Sequence, residues 1–321
     1  MSEQFERELA DWGPESLANG RTATLDEATA YTQRIATTHY ENFTVVSWLL
    51  PKHLRPHFHN VYAYCRWSDD LGDEVGDRQR AEQLLEWWQS ELEACYRGQT
   101  RHPVFVALAE TIREFEIPME PFADLLSAFR QDQHLLQYEA FDQLRDYCRR
   151  SADPVGRLVL YLGREHTEEN VALSDHVCTG LQLANFWQDV DRDWDIGRRY
   201  LPLEDLERFG YSQAEFENRV TNTAFLNLME FEVDRARTFL LNGLPLVTRL
   251  PGRLQVDIEL FVRGGLKILE RIEAIGYRVW DTRPVVTKAD AVRMLAGCVI
   301  RATGRRFRPR RSIATHEHTP G

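Results

Sequence analysis

The sequence predicts an all-α protein, because apolar residues recur three and four positions apart in most segments and few β-branched residues alternate with polar ones. Helix start signals support this fold class. Thr24 followed by Glu27, and Ser212 followed by Glu215, match the capping box, in which two side chains bond the free amides of a first turn. Between proline-containing breaks, we predict helices over residues 56–76, 80–98, 121–137, 169–194, 222–243 and 254–276.

Composition indicates one folded unit with a large core. The chain has 321 residues, of which 43% are hydrophobic and 28% charged, as is typical of helix-rich globular proteins. We see no internal repeat, no low-complexity linker and no compositional shift that would mark a second domain. We therefore predict one helical domain over residues 1–300 and a separate C-terminal segment over residues 301–321.

The charge and the cysteines limit the classes of function. A net charge of -11 argues against a nucleic-acid partner, because binding to a phosphate backbone needs clustered basic residues. The five cysteines are widely spaced and include no Cys-x-x-Cys pair, which is typical of reduced thiols. The first residues lack the apolar stretch of an export signal, and the longest segment without charged residues, from His176 to Gln188, is shorter than a membrane-spanning helix. We expect a cytoplasmic protein that does not span a membrane.

The C-terminal segment is basic. Its arginines, with no acidic residue among them before Glu317, are Arg301, Arg305, Arg306, Arg308, Arg310 and Arg311. One interpretation is a solvated and poorly ordered chain end. The other is peripheral attraction to the anionic inner face of the cytoplasmic membrane.

A first polar stripe lies in YAYCRWSDDLGDE, residues 62–74. The residues that share one helical face at steps of three and four are Tyr62, Arg66, Asp69, Asp70 and Asp73. Like charges one turn apart repel each other, and carboxylates without His or Cys partners are ligands that suit Mg²⁺. Arg66, one turn before the acids, is placed to bind a phosphate group. The alternative for this stripe is an exposed, solubilising helix face.

A second polar stripe lies in LQLANFWQDVDRDWDIGRRYLP, residues 181–202. Its members at steps of three and four are Gln182, Asn185, Asp189 and Asp193. The intervening residues are mostly apolar, so the stripe would carry a desolvation cost unless each polar group found a ligand or a hydrogen bond.

Two such helices facing each other across a bundle would hold a cluster of Mg²⁺ ions between them. The predicted metal ligands are Asp69, Asp73, Asn185, Asp189 and Asp193. A diphosphate leaves readily only when its growing negative charge is neutralised, and such a site would supply that neutralisation. Arg198, Arg199 and Tyr200 follow the second stripe and would complete the clamp. A surface pair of arginines is the alternative for Arg198 and Arg199.

Both stripes resemble the aspartate-rich motifs of the squalene/phytoene synthase family. Residues 62–73 match its pattern Tyr-x-x-x-Arg-x-x-Asp-Asp-x-x-Asp, and residues 182–200 match Gln-x-x-Asn-x-x-x-Asp-x-x-x-Asp followed by Arg-Tyr. Similarity continues through NFTVVSWLLP at 42–51, Tyr147 with SADPVGRLVLYL at 151–162, and GGLKILERIEAIGY at 264–277. The resemblance implies an isoprenoid synthase helical bundle with a central cavity, Mg²⁺ as cofactor, and a prenyl diphosphate substrate. It also implies catalytic roles for Tyr62, Arg66, Tyr147, Gln182, Arg199 and Tyr200.

Two segments are similar to the hydroxysqualene synthases of the bacterial hopanoid pathway, namely HYENF at 39–43 and NFWQDV at 185–190. This similarity implies that a sister enzyme makes presqualene diphosphate, which this protein ionises and hydrates to hydroxysqualene. Gln188 stands where many relatives carry Arg, and we infer from it a site with one cation fewer, suited to a single diphosphate.

Two alternatives remain. One is head-to-head condensation of two prenyl diphosphates, such as farnesyl diphosphate, to presqualene diphosphate, squalene or phytoene. The other is a non-catalytic assembly factor built on the same fold.

Overall fold

The computed structural model describes residues 2–38 and 51–306, and it confirms the all-α class. The helices of the first half are α1 Glu3–Trp12, α2 Pro14–Ala18, α3 Leu25–Thr38, α4 Arg55–Asp73, α5 Arg78–Tyr96, α6 Pro103–Phe115, α7 Glu120–Gln131, α8 Phe141–Ser151 and α9 Asp153–Leu162. Those of the second half are α10 Glu168–Gln188, α11 Val190–Asp195, α12 Leu203–Phe209, α13 Gln213–Glu217, α14 Thr223–Gly243, α15 Leu246–Arg249, α16 Gly252–Ala274 and α17 Lys288–Arg306. The segment HYENF, most of NFTVVSWLLP and the end of the basic tail lie outside the described residues.

The helices predicted from periodicity are present, with small shifts at their ends. The helix expected over 169–194 divides at Asp189 into α10 and α11. The helix expected over 121–137 ends at Gln131, because the chain then turns so that the Leu136 carbonyl accepts a hydrogen bond from the Arg199 amide at 2.7 Å. Both capping boxes form, at the starts of α3 and α13.

The C-terminal boundary predicted at residue 300 falls inside a helix. Helix α17 runs through Arg306, so the first residues of the basic segment are helical. None of the described helices combines the length and the apolar character needed to cross a membrane.

Helix α10 lies at the centre of the second half and packs against α9, α14 and α16. Glycines permit the closest of these approaches. A Cβ atom placed on Gly180 would lie 2.8 Å from the Leu240 side chain, and one on Gly243 would lie 2.6 Å from that of Val177. Helix α10 is therefore held by tight packing of backbone against side chain.

Two apolar cores divide the bundle. One gathers Trp67 and Leu71 of α4 with helices α3 and α5–α7, and the other gathers Leu183 and Trp187 of α10 with α14 and α16. Phe261 packs against both cores. The two polar stripes therefore belong to helices of different cores, and they can meet only at the boundary between the cores.

We predict that Gly180→Ala lowers the free energy of unfolding by about 1–3 kcal/mol, because the new methyl group would overlap Leu240. Urea denaturation followed by circular dichroism measures the change. Gly264→Ala is the matched control, since a Cβ atom there meets nothing within 4 Å. Equal stability of the two variants would contradict tight packing at Gly180.

Candidate active site

The first stripe carries its own counter-charge. The Arg66 guanidinium donates from Nε to Asp70 Oδ2 at 3.1 Å, from Nη1 to Asp69 Oδ2 at 3.4 Å and from Nη2 to Glu74 Oε1 at 3.3 Å. One guanidinium thus spans three carboxylates on the last turns of α4. This pairing offsets much of the repulsion that the sequence indicated.

The pKa values of the first stripe reflect burial and the repulsion between its neighbouring acids. Burial raises the pKa of Asp69 to about 6, and the charge of Asp73 adds to this rise, whereas Arg66 and Arg198 oppose it. Burial also raises the pKa of Asp70 to about 7 against the effect of Arg66. A cation at this site would favour the ionised form of both carboxyl groups.

The second stripe opens onto accessible space. Asn185 is exposed and Gln182 is half-buried, and neither side chain forms a hydrogen bond with a residue in the described ranges. The expectation that this stripe lies among apolar neighbours is therefore wrong for Asn185. Because α10 is only partly enclosed at this end, the amides of both residues remain available to a ligand.

Asp189 lies at the junction of α10 and α11 and is paired with an arginine that sequence reasoning missed. Arg283 Nε lies 2.5 Å from Asp189 Oδ1, and its Nη2 lies 3.0 Å from Oδ2. Beside this pair, Gln188 Nε2 donates to the carbonyl of Pro284 at 2.6 Å. The segment after α16 thus places a guanidinium next to Asp189. The charge argument from Gln188 did not include this cation.

Arg198 connects the two stripes. Its Nη2 lies 2.9 Å from Asp73 Oδ1 on α4. Burial raises the pKa of Asp193 to about 7, the charge of Asp189 adds to this rise, and Arg198 opposes it. Arg198 likewise opposes the rise at Asp69. Arg198 thus pairs with Asp73 of the first stripe, and its backbone amide donates to the carbonyl of Asp193 in the second stripe at 2.8 Å.

Asp132, directly after α7, is a further acidic residue at this place. Its Oδ2 accepts a hydrogen bond from the Tyr147 hydroxyl at 2.8 Å. Burial raises its pKa to about 7, and the charges of Asp73 and Arg198 act on it in opposite directions. Sequence reasoning missed Asp132 because it stands alone between two glutamines and belongs to no periodic stripe.

An aromatic cluster borders the acids. The Tyr200 ring stacks on that of Phe186 with centroids 3.7 Å apart, and it lies 6.1 Å from the ring of Tyr147. Tyr138 stacks on Tyr200 from a distance of 5.9 Å. The faces of such rings attract positive charge, which suits a site where a carbocation forms.

The structure places Arg199 differently from Arg198. Arg199 donates to Gln213 and lies 5.7 Å from the centre of the Phe216 ring, and burial lowers its pKa. Within the described residues it forms no hydrogen bond or ion pair with a predicted metal ligand, whereas Arg198 does. Tyr62 lies one turn before Arg66 and is half-buried, with its pKa raised by burial.

The residues present fit Mg²⁺ on the chemistry of their donors. Across the described ranges, no three His, Cys, Asp or Glu side chains converge closely enough to hold a metal by themselves. Mg²⁺ typically takes one or two carboxylates and completes its coordination with water and phosphate oxygens. All of the predicted ligands offer oxygen, namely Asp69, Asp73, Asn185, Asp189 and Asp193.

Comparisons with known proteins agree with this geometry. A sequence model of the family described as squalene/phytoene synthase matches residues 36–290. The 15-cis-phytoene synthase of Synechocystis sp. is 31% identical over 286 residues, which cover 82% of each chain. A hydroxysqualene synthase of Rhodopseudomonas palustris is 34% identical over 222 residues, covering 68% of this chain and 75% of that protein.

Solved structures show the same relationship. The squalene synthase HpnC from Alicyclobacillus acidocaldarius superposes with a TM-score of 0.76 at 43% identity, covering 79% of this chain and 95% of that chain. A dehydrosqualene synthase has the same fold, with a TM-score of 0.78 at 24% identity. The resemblance seen in the two motifs is thereby confirmed over most of the chain. The protein belongs to the squalene/phytoene synthase family, whose members process prenyl diphosphates.

Proposed function

We propose that the protein ionises presqualene diphosphate and captures the rearranged cation with water, giving hydroxysqualene and diphosphate. In this reaction the bond from carbon to the diphosphate oxygen breaks, water adds to the cation, and one proton is released. The observation that carries the proposal is the meeting of both acidic motifs around Arg198. Support for this reaction within the family comes from the identities of 43% to the HpnC structure and 34% to the hydroxysqualene synthase.

The polar side chains would bind and polarise the diphosphate. Bound Mg²⁺ would neutralise the negative charge that grows on the leaving group. The oxygens of Asp69, Asp73, Asn185, Asp189 and Asp193 would hold the metal. Arg66 and Arg198 would exchange carboxylate partners for phosphate oxygens, which accept the same charge-assisted hydrogen bonds. Gln182, with its free amide, would orient the diphosphate or the attacking water.

The aromatic side chains would stabilise the carbocation that remains after ionisation. Phe186 and Tyr200 present stacked rings next to the acids, and the faces of such rings attract and stabilise a positive charge. Asp132 accepts the hydrogen bond of Tyr147 and so fixes the orientation of that ring. Tyr62, one helical turn before Arg66, would contribute its side chain to the same site.

Head-to-head condensation of two prenyl diphosphates is the second candidate. The 15-cis-phytoene synthase covers 82% of the chain, and Arg283 supplies a cation at Asp189 that the sequence alone did not indicate. The local charge therefore no longer argues against two diphosphates. A non-catalytic assembly factor is disfavoured, since the carboxylates of both motifs are retained.

We predict that Asp73→Asn and Asp189→Asn each reduce turnover about 10²-fold or more, because each removes a preorganised charge from the diphosphate site. The rate at which hydroxysqualene forms from presqualene diphosphate measures turnover, and circular dichroism checks the fold. Asp281→Asn is the matched control, since Asp281 lies outside both motifs and pairs with Arg278. Activity near the control level in both motif variants would overturn the metal-site assignment.

A product assay separates the two candidate reactions. With Mg²⁺, we expect conversion of presqualene diphosphate to hydroxysqualene, little consumption of farnesyl diphosphate alone, and no effect of NADPH on the product. Formation of squalene or phytoene from farnesyl diphosphate by the purified protein would contradict the first candidate and support the second.

The pair formed by Arg283 and Asp189 gives a separate test that needs no turnover. We predict that Arg283→Gln strengthens Mg²⁺ binding severalfold when no diphosphate is present, because Asp189 loses the cation that competes with the metal. Calorimetric titration measures the affinity, and Arg278→Gln is the control. Unchanged affinity in Arg283→Gln would show that Asp189 does not ligate the metal.

A further inference from the structure

Helix α17 exposes an apolar stripe on the outside of the bundle. The exposed fractions of Val292, Val299 and Ile300 are 67%, 44% and 71%. Spacings of three, four and seven place these side chains and Ala296 on one face of the helix. Cys298 lies on a different face, is fully buried and belongs to the side that contacts the bundle. The stripe therefore contributes little to folding.

A basic groove of about 330 Å³ runs beside this stripe, between α16 and α17. Arg263 and Arg301 line it, and both bind the same buried carboxylate, Glu259. Arg293 also lines the groove, and its side chain forms no ion pair or hydrogen bond with any residue of the described ranges. Arg293 thus leaves a positive charge in the groove without a carboxylate partner among the described residues.

The acids of the groove do not cancel this excess. Glu270 pairs with Lys267 at 2.8 Å, and Asp290 pairs with Arg271 at 2.6 Å. Each of these acids is therefore balanced by its own cation. The positive charge of Arg293 remains open to a ligand with negative charge.

The stripe and the groove are contiguous. On α17, Arg293 borders the arc that carries Val292, Val299 and Ile300, and Arg301 lies further round on the same side, towards the groove, because the helix advances by about 100° per residue. An apolar arc bordered by basic side chains is the pattern of helices that lie in a membrane interface. The sequence continues with further arginines up to Arg311.

We propose that α17 and the groove against α16 form a docking surface for an anionic lipid bilayer. Val292, Val299 and Ile300 enter the boundary between headgroups and acyl chains, and the groove arginines bind lipid phosphates. The net charge of -11 makes the rest of the chain repel such a surface, so this local excess of positive charge sets the orientation. The proposal is independent of the reaction, because it concerns residues outside both motifs.

The test measures binding of the full-length protein to vesicles of phosphatidylcholine with and without one-third phosphatidylglycerol, in the absence of substrate. We expect binding only to the anionic vesicles, with weaker binding at high salt. Arg293→Gln should weaken it about fivefold, the scale for one cation at such a surface. Ile300→Ser should weaken it about tenfold, since insertion buries a large apolar side chain.

Matched controls are Arg80→Gln and Leu241→Ser, which alter an exposed arginine and an exposed leucine on other helices. Neither control should change vesicle binding, and none of the four variants should change turnover of detergent-dispersed substrate. Absence of binding to anionic vesicles, or equal binding by all variants, would overturn the proposal. A dimer in sedimentation that dissociates in Ile300→Ser, without vesicle binding, would instead assign this face to a second copy of the chain.

Discussion

The pairing of arginines with gathered carboxylates is the constraint on which the site depends. Two helices bring acids to one place, and burial raises the pKa of Asp69 and Asp193 toward neutrality. Arg66 and Arg198 oppose this effect, and Arg283 forms an ion pair with Asp189. The three arginines come from separate segments of the chain. These contacts are ones that a metal and a diphosphate can replace, since both offer the same charges to the same partners.

The bundle positions these contacts through two separate cores. Helix α4 is fixed by one core and α10 by the other, and Arg198, which follows α11, contacts Asp73 at the end of α4. Close contacts at Gly180 and Gly243 hold α10 firmly against α14, which limits the movement of Asp189 at its end. Rigid packing of the helices thus supports a polar site whose own contacts are exchangeable.

Charge is distributed unevenly over the molecule, and this matters for a lipid-like substrate. The chain is acidic overall, whereas α17 and its groove carry a local excess of positive charge beside exposed apolar residues. A prenyl diphosphate has an apolar chain that resides in a bilayer and a polar head that needs cations. Separate surfaces for the membrane and for the diphosphate would meet these two requirements without placing the acidic site against anionic lipid.

The sequence by itself determined the helices, both capping boxes and the two polar stripes, because each depends on spacings of three and four residues within a segment. Only the tertiary structure decided which arginines pair with the acids of the two stripes. Arg198 and not Arg199 contacts Asp73, and Arg283 reaches Asp189 across 94 positions. Contacts between distant segments leave no periodic signal in the sequence. For the same reason the charge argument from Gln188 did not include Arg283, and Asp132 was not predicted.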